Sequence, residues 1–312
     1  MKNLGILWDF EVEWDDDEPF QTKNLDRDYE VYSELAREKG LQIFIGKFSW
    51  YNDKKLEKAW KWDGDKWVKA KDIELDGVYD KYRFDSETKK LKQKISEELP
   101  VINDPEIERI CKDKLETYEL FPDFVPETMV ANHENAEKML EAYDMVVFKP
   151  RYGASGDGVE FIEEIDDFEE PENPEEYIIQ QFVSTEGFKP AGVKGPHDLR
   201  THVINGEIQE GNYVRQPREG LKSNISTGGK QVYIENSQIP ENAMNILEKV
   251  AERFSKFHPS IFSVDFMFSG DDIWLVELNS KPAMYYHYPE KEKQYELPRM
   301  KKLVEAWREL LE

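Results

Sequence analysis

The sequence predicts an α+β protein with more than one domain, and three features carry that prediction. At 312 residues the chain is long enough to divide into two or three units with their own cores. Its first hundred residues read as strand, helix, strand and hairpin. From about Asn103 onward hairpins and helices mix, without the strict β–α alternation of a parallel α/β protein.

In order, "LGILWDF" is an apolar strand, and "DYEVYSELAREKG" a short helix with Val31, Leu35 and Ala36 on one face and Gly40 as its stop. "LQIFIGKF" is the next strand. "KAWKWDGDKWVKA" alternates about Asp63-Gly64, a two-residue turn pair that predicts a hairpin, and "DGVYDKYRF" follows as a strand. "LPVINDPE" marks a boundary near Asn103. "DPEIERICKDKLETYELF" then reads as one or two helices and "NAEKMLEAY" as another, with strands at 145–149, 159–162 and 177–183. The acidic stretch Glu163–Glu176 between the last two is expected to be a solvated loop. "DLRTHVINGEIQEGNYVRQ" is a hairpin about Asn205-Gly206. "PENAMNILEKVAERFSKFH" is a helix with one buried face, "IFSVDFMFSGDDIWLVELN" a last hairpin, and "LPRMKKLVEAWRELLE" a terminal amphipathic helix.

Composition narrows the function classes. A formal charge of −24 argues against nucleic acid, whose binding rests on Lys and Arg, and against anionic membranes. An anionic substrate would need a local cluster of cations, or a metal, to overcome that field. Cys111 is the only cysteine, which excludes an internal disulfide and fits a reducing compartment. No apolar run reaches membrane-spanning length. The opening "MKNLGILWDFEVEWDDDE" turns acidic too soon for a signal peptide, so a cytoplasmic location is expected.

The last hairpin aims its charges. A three-residue turn, Gly270–Asp272, sets Asp265 directly across from Glu277. That register gathers Phe262, Val264, Phe266 and Phe268 with Trp274, Val276 and Leu278 on one face, and Asp265, Glu277 and Asn279 on the other. A four-residue turn would part the two acids, because a one-residue slip turns a strand over. Carboxylates facing one another repel by a few tenths to about 1 kcal/mol, so something cationic belongs between them. Mg²⁺ or Mn²⁺ suits an all-oxygen set of two carboxylates and an amide. A neighbouring Lys or Arg, or exposure on a solvated sheet, would serve as well.

Around Asn205-Gly206, a two-residue turn sets Ile204 against Glu207 and Arg200 against Gly211. Arg200, His202, Tyr213 and Arg215 then share a face, with the arginines four residues, roughly 13 Å, apart along the ribbon. Both can reach one anion through their guanidinium forks, or lie as two surface arginines on a solvated face. In "MVVFKPRYGASGDG", Lys149 ends an apolar strand just before a run of small residues. Such a lysine either snorkels to water or sets its charge against a phosphate that the loop's N–H groups wrap. Neither the Walker loop nor the dinucleotide fingerprint occurs.

Taken together, "KDKLETYELFPDFVPET", "VVFKPRYGASGDGV", "YIIQQFV", "DLRTHVINGEI", "YVRQPREGLKSNISTGG" and "SVDFM" with "WLVELNSKP" resemble the ATP-grasp carboxylate–amine ligases. Within that family the branch of glutathione synthetase and the ribosomal-protein glutamate ligases is the most similar. The likeness runs from about Asn103 to Pro282; the N-terminal hundred residues are similar only in outline. It implies a pre-ATP-grasp α/β domain at 1–102, a small grasp subdomain with a central glycine-rich loop at 103–183, and a C-terminal subdomain with the metal site at 184–312. Lys114 and Lys149 would contact ATP phosphates, Lys149 lying near the adenine as well. Residues 153–158, with Gly153, Ser155, Gly156 and Gly158, would close over the phosphates. Backbone groups of Gln180, Gln181, Phe182 and Val183 would bond adenine, and Glu186 the ribose. Asp265, Glu277 and Asn279 would hold Mg²⁺, with Mn²⁺ as an alternative. Arg200 and Arg215 would hold the acyl phosphate and the transferred phosphoryl, with Asn224 beside them. Lys281 stands where the branch often has a small residue.

The implied reaction is an ATP-dependent C–N ligation through an acyl phosphate, releasing ADP and phosphate. Its partners would be a small carboxylate and an amine, an amino acid or peptide, or a protein or carrier tail. A homo-oligomer fits, since dimers and tetramers are common in the branch. A kinase acting on the alcohol of a polyol or polyol phosphate is the alternative, and extra Lys or Arg in the N-terminal cleft would be its mark. His202 is assigned no role.

Overall fold

The N-terminal sheet has a parallel half built from apolar strands and an antiparallel half beside it. Strands β1 (Lys2–Trp8) and β2 (Leu41–Lys47) are joined by helix α1 (Lys23–Glu38), and β6 (Gly77–Asp80) lies on the other side of β1. With β3 (Tyr51–Asn52), β4 (Lys55–Trp62), β5 (Trp67–Glu74) and β7 (Val101–Ile102), the order is β3-β4-β2-β1-β6-β7, and β5 pairs with β4. This is a computed structural model describing residues 1–9, 12–152, 157–184, 187–190, 193, 195–216, 230–287 and 290–312.

Helix α1 starts earlier than expected because Thr22 caps it, its hydroxyl accepting from the Leu25 N–H. The hairpin of β4 and β5 forms, but its loop has four residues, with Trp62 opposite Trp67. The Asp63 carboxylate accepts from the N–H groups of Asp65 and Lys66 and closes that longer turn. Helix α2 (Lys89–Glu98) leads to β7.

Helices α3 (Pro105–Lys112) and α4 (Lys114–Leu120) are separate, parted at Asp113. A four-stranded sheet follows, from β8 (Thr128–Val130), β9 (Val146–Pro150), β10 (Glu160–Ile162) and β11 (Tyr177–Gln181), in the order β10-β9-β11-β8. Helix α5 (His133–Ala142) covers it through Ala136 and Met139. The acidic stretch is not wholly solvated: Phe168 is buried in the same cluster.

The third sheet has the order β15-β14-β12-β16-β17, from β12 (Asp198–Ile204), β14 (Asn212–Gln216), β15 (Lys230–Ile234), β16 (Ile261–Ser269) and β17 (Asp272–Asn279). The short β13 (Glu207–Ile208) pairs with β12. Helix α6 (Glu241–Phe254) buries Ile246, Leu247, Val250 and Phe254 against Phe262, Val264 and Phe266. Helix α7 (Glu290–Leu310) is longer than its sequence reading and runs through Pro298. Its Met300, Leu303, Val304 and Trp307 join the core of the N-terminal sheet with Leu4, Ile6 and Tyr79. The Asn103 side chain stitches the chain's parts together, donating to the carbonyls of Ile261 (2.6 Å) and Ser280 (2.5 Å) and accepting from the Ile261 N–H (2.8 Å).

Two registers differ from expectation. The β16–β17 turn has two residues, Gly270 and Asp271, with Ser269 opposite Asp272. Gly270 takes φ +61°, as such a turn requires. An irregularity after Asp265 then adds one residue on β17, so that Phe266 opposes Leu275 while Asp265 opposes Glu277. Trp274 and Val276 therefore leave the core face, and Leu275 takes their place. On the other hairpin, Arg200 opposes Tyr213 rather than Gly211. Residues 209–211 form an offset there: Asn212 Oδ1 accepts from the His202 N–H (2.9 Å), its Nδ2 donates to the Gln209 carbonyl, and Gly211 has φ +75°.

Candidate active site

The third sheet lines up polar residues in rows. One row runs Tyr233, Tyr213, Arg200, Asp265, Glu277 across five strands. Beside it lie Arg215 with Asp198 on one side, and His202, Ser263 and Asn279 on the other. The register change places Arg200 and Arg215 two residues apart along the ribbon, roughly 7 Å instead of 13 Å. They meet on one carboxylate. Arg200 donates from Nε and Nη2 to the two Asp265 oxygens at 2.7 and 2.6 Å, and Arg215 Nη2 adds a third bond at 2.6 Å. Arg215 also grips Asp198 in a fork (2.6 and 2.9 Å).

Asp265 is 1% exposed. Burial alone would raise its carboxyl, but Arg200 and Arg215 outweigh that and hold it below the usual carboxylate range. The cations expected between the opposed acids are thus two arginines on the Asp265 side. Glu277 differs. Among the described residues no ion pair reaches it, and burial, reinforced by Asp265, raises its carboxyl. Asn279 Nδ2 lies 3.5 Å from Asp265 Oδ2.

Two lysines come within electrostatic reach of Glu277, Lys149 from β9 of the small sheet and Lys114 from the start of α4. Lys149, on β9, donates to Gln180 Oε1 at 2.7 Å. Gln180 Nε2 in turn donates to Thr128 Oγ1 (2.7 Å), whose hydroxyl donates to the Pro126 carbonyl. Burial pushes the Lys149 ammonium down to about 7, with repulsion from Lys114 next and the Glu277 carboxylate opposing both. Lys114 opens α4, and its ammonium is likewise lowered by burial and drawn back up by Glu277. Lys114, Lys149, Glu277, Asp265 and the two arginines therefore belong to one electrostatic neighbourhood.

Sequence reading missed the residues that hold the lysines. Asp113 accepts from Arg151 Nε and Nη2 (2.7 and 2.6 Å) and caps α4 through the N–H groups of Leu115 and Glu116. It thereby ties the start of α4 to the end of β9. The signal was present, since an Asp before a helix with an Arg two residues past the lysine strand is a capping and pairing set. Gln180 was expected to act through its backbone; its side chain is what orients Lys149. The N–H groups of Gln181 and Phe182 are already given to the carbonyls of Glu127 and Met145, so among these hinge residues Val183 keeps an N–H that meets no described residue. Gly158 has φ +67°, and a Cβ there would lie 3.1 Å from Pro150, so the exit of the glycine loop demands glycine. Gly153, Ser155, Gly156, Glu186 and Asn224 lie outside the described residues.

The donor set fits a hard divalent cation. Two carboxylates and an amide from neighbouring rows offer oxygen ligands, and among the described residues Glu277 is in no ion pair. Among the described residues no group of three His, Cys, Asp or Glu side chains is assembled for a metal. His202 is fully buried, with Nδ1 2.7 Å from Arg299 Nη1, and burial followed by Arg299 holds its imidazole far below the usual range. It is a neutral acceptor inside the core.

A family model of the ATP-grasp domain matches residues 111–283. A search of curated protein sequences gives no match. Among solved structures, the chain is similar to D-alanyl-alanine synthetase A from Vibrio cholerae (TM-score 0.60, 14% identity, 99% of this chain and 98% of that one). It is similar to a D-cycloserine synthetase (TM-score 0.62, 13% identity, 99% of this chain, 100% of that one). It is also similar to a RiPP-associated ATP-grasp ligase from Chryseobacterium gregarium, solved with ADP and a leader and core peptide (TM-score 0.62, 15% identity, 100% of this chain, 96% of that one). At these identities the structural likenesses speak for the fold, while the family model covers more than half of the sequence and contains the arginine, lysine and carboxylate rows described above. The chain belongs to the ATP-grasp domain family.

Proposed function

We propose that the protein is an ATP- and Mg²⁺-dependent carboxylate–amine ligase that works through an acyl phosphate and releases ADP and phosphate. The observation that carries this reading is the meeting of Arg200 and Arg215 on Asp265, directly across from Glu277, which has no ion pair among the described residues, with Lys114 and Lys149 in electrostatic reach of Glu277. Four cations, the buried Asp198 and Asp265 and the half-buried Glu277 then converge on one face of the sheet. Such a site can stabilise charge on a transferring phosphoryl group and on a tetrahedral oxyanion, which is the help both halves of the reaction need.

The roles divide by element. Lys149, oriented by Gln180, and Lys114, anchored through Asp113, neutralise the phosphates of ATP, while Val183 offers an N–H at the hinge. Glu277, Asp265 and Asn279 hold Mg²⁺, which when bound would neutralise phosphoryl charge. Arg215 and Arg200 are freed from Asp265 to the extent that the cation claims it, and turn their remaining donors to the acyl phosphate. The N-terminal unit, 1–102, supplies the acid's pocket; 103–183 and 184–312 hold the nucleotide between them. The named neighbours act on amino acids or peptides, and a small acid or a peptide acid fits the same cleft here.

The kinase reading is favoured by one observation, three lysines (Lys81, Lys92 and Lys281) at the carboxyl end of the N-terminal sheet. Incubation with Mg-ATP, hydroxylamine and pooled carboxylates separates the two. ADP together with hydroxamate is the ligase outcome. ADP formed only with an alcohol pool, without hydroxamate, would replace it with the kinase.

A further inference from the structure

Beside the metal row lies a second, largely buried cluster in which, among the described residues, lysines outnumber carboxylates. Lys92 pairs with Asp80 and, at 3.1 Å, with Glu108; Lys281 pairs with Glu108 at 2.7 Å and lies 3.8 Å from Asp80. Lys281 also donates to the Tyr82 carbonyl. These acids are spoken for, Glu108 being 1% exposed. A third lysine, Lys81, stands next to them. Its ammonium sits 5.4 Å from the Trp8 ring and 5.6 Å from the Tyr79 ring, and among the described residues it has no carboxylate within ion-pair distance. Arg83, two residues on, pairs with Asp85 (3.0 Å) and Asp9 (3.8 Å). Three lysines thus face two carboxylates. Burial pushes Lys81 down to about 7, with Lys281 adding to the fall and Asp80 and Glu108 opposing it. Ring faces offset only part of the desolvation of an ammonium.

The place is as informative as the charge. Lys81 directly follows β6, and Trp8 ends β1. The chain leaves β1 to build β2 on one side and returns to β6 on the other, so these two strand ends flank the point where strand order reverses. Crevices at such points are where parallel sheets bind ligands. Lys281, two residues beyond Asn279 of the metal row, is close enough to these strand ends to repel Lys81. A molecule reaching from the metal row into this crevice would meet Lys81 over an aromatic floor.

Resting on the ligase reading, we infer that the acid substrate carries a second fixed negative charge, a carboxylate or phosphoryl group besides the one activated, and that Lys81 binds it in the crevice between β1 and β6. Lys81 selects dianionic acids over their neutralised analogues. It is a specificity residue and takes no part in the phosphoryl step.

The test uses the full chain, the Lys81→Met and Lys81→Arg variants, and matched probes: succinate against succinamate, glutarate against glutaramate, and 3-phosphonopropionate. Hydroxamate formation gives kcat/KM for each. Isothermal titration of the same probes in the presence of ADP and Mg²⁺ reads binding without turnover. The parent should prefer each dianion over its monoamide by roughly 10²-fold, the scale of one charge-assisted contact. Lys81→Met should bring that ratio near one, and Lys81→Arg should restore most of it. Preference for the phosphonate or for the dicarboxylates names which anion the crevice holds. Equal use of acid and amide by the parent, or a ratio unchanged in Lys81→Met, overturns the proposal while leaving the ligase standing. Failure of every acid to give hydroxamate counts against the ligase reading instead. In that case the titrations decide: dianion binding lost in Lys81→Met upholds the assignment, and its persistence or absence in the parent overturns it.

Discussion

Replacing Gln180 by Met isolates the device that orients Lys149. The substitution conserves volume but removes an acceptor 2.7 Å from the Lys149 ammonium and a donor 2.7 Å from the Thr128 hydroxyl. Thr128 keeps its bond to the Pro126 carbonyl, so the loss falls chiefly on Lys149. A hydrogen bond to a charged group contributes about 1.5–3 kcal/mol, and one between neutral groups about 0.5–1.5 kcal/mol. Because burial brings the ammonium down to about 7, it is charged at pH 6 and neutral at pH 9. The expected loss is therefore about 2 kcal/mol at pH 6 and about 1 kcal/mol at pH 9. With about 2.1 cal/mol/K per residue of unfolding entropy over 312 residues, these become falls in Tm of roughly 3 °C and 1.5 °C. Thermal denaturation of the ligand-free protein at both pH values measures them, and titration with Mg-ADP should show affinity weakened by roughly tenfold. Equal shifts at the two pH values with unchanged nucleotide affinity would refute the claim that Gln180 serves Lys149.

Lys149→Met should act in the opposite sense on stability. The folded-state pKa of Lys149 is depressed, so the unfolded chain binds more protons between about pH 7 and its ordinary value near 10.4, and the charged lysine destabilises the ligand-free protein most below about pH 7. The variant should be more stable than the parent at pH 6 and converge with it by pH 10, as chemical denaturation at the two extremes will show; a constant offset would contradict the assigned burial. Arg215→Ala should lower turnover about 10²–10³-fold while nucleotide binding survives, measured by ADP release beside fluorescence titration. It should also lower Tm, because Asp198 loses its arginine fork and Asp265 one of its three arginine bonds. Turnover near the parent's would remove Arg215 from the site. Glu277→Gln should weaken Mn²⁺ binding at least tenfold, followed by the paramagnetic signal of free Mn²⁺, and unchanged affinity would move the metal elsewhere.

Much of this site was legible because alternation on strands is unforgiving. The apolar residues Phe262, Val264 and Phe266 can only face a core, and that forces Asp265 to the other side together with Glu277. What the sequence concealed was how the register is reached: a two-residue turn plus a bulge gives the same Asp265–Glu277 pair as a three-residue turn, yet exchanges Trp274 and Val276 for Leu275 in the core. Apolar content at 273–276 is too uniform to tell those apart. The offset at 209–211 was hidden for a related reason. Its cause is a side chain, Asn212, standing in for a backbone acceptor, and spacing counts cannot see that.

Long-range charge pairing was the least visible layer. Arg200 and Arg215 were read as reaching for an anion, which they do, but the anion in the ligand-free protein is Asp265 itself. Lys92 and Glu108 sit on different helices and are joined only because α2 and α3 pack together over β6 and β17. No local pattern announces a lysine that is buried on an otherwise polar helix such as 89–98. Helix α7 shows the limit for packing: its apolar stripe was clear, while its docking onto the N-terminal sheet depends on tertiary contacts with Tyr32 and Tyr79.

The measurement that tests the central claim most directly follows oxygen. An acid found to yield hydroxamate is labelled with ¹⁸O in its carboxylate and incubated with Mg-ATP and its amine, and the inorganic phosphate released is examined by ³¹P NMR. Ligation through an acyl phosphate transfers one labelled oxygen from the acid to each phosphate formed, because the bond broken in the second step is between the acyl carbon and that oxygen. Phosphate carrying no label would contradict the account.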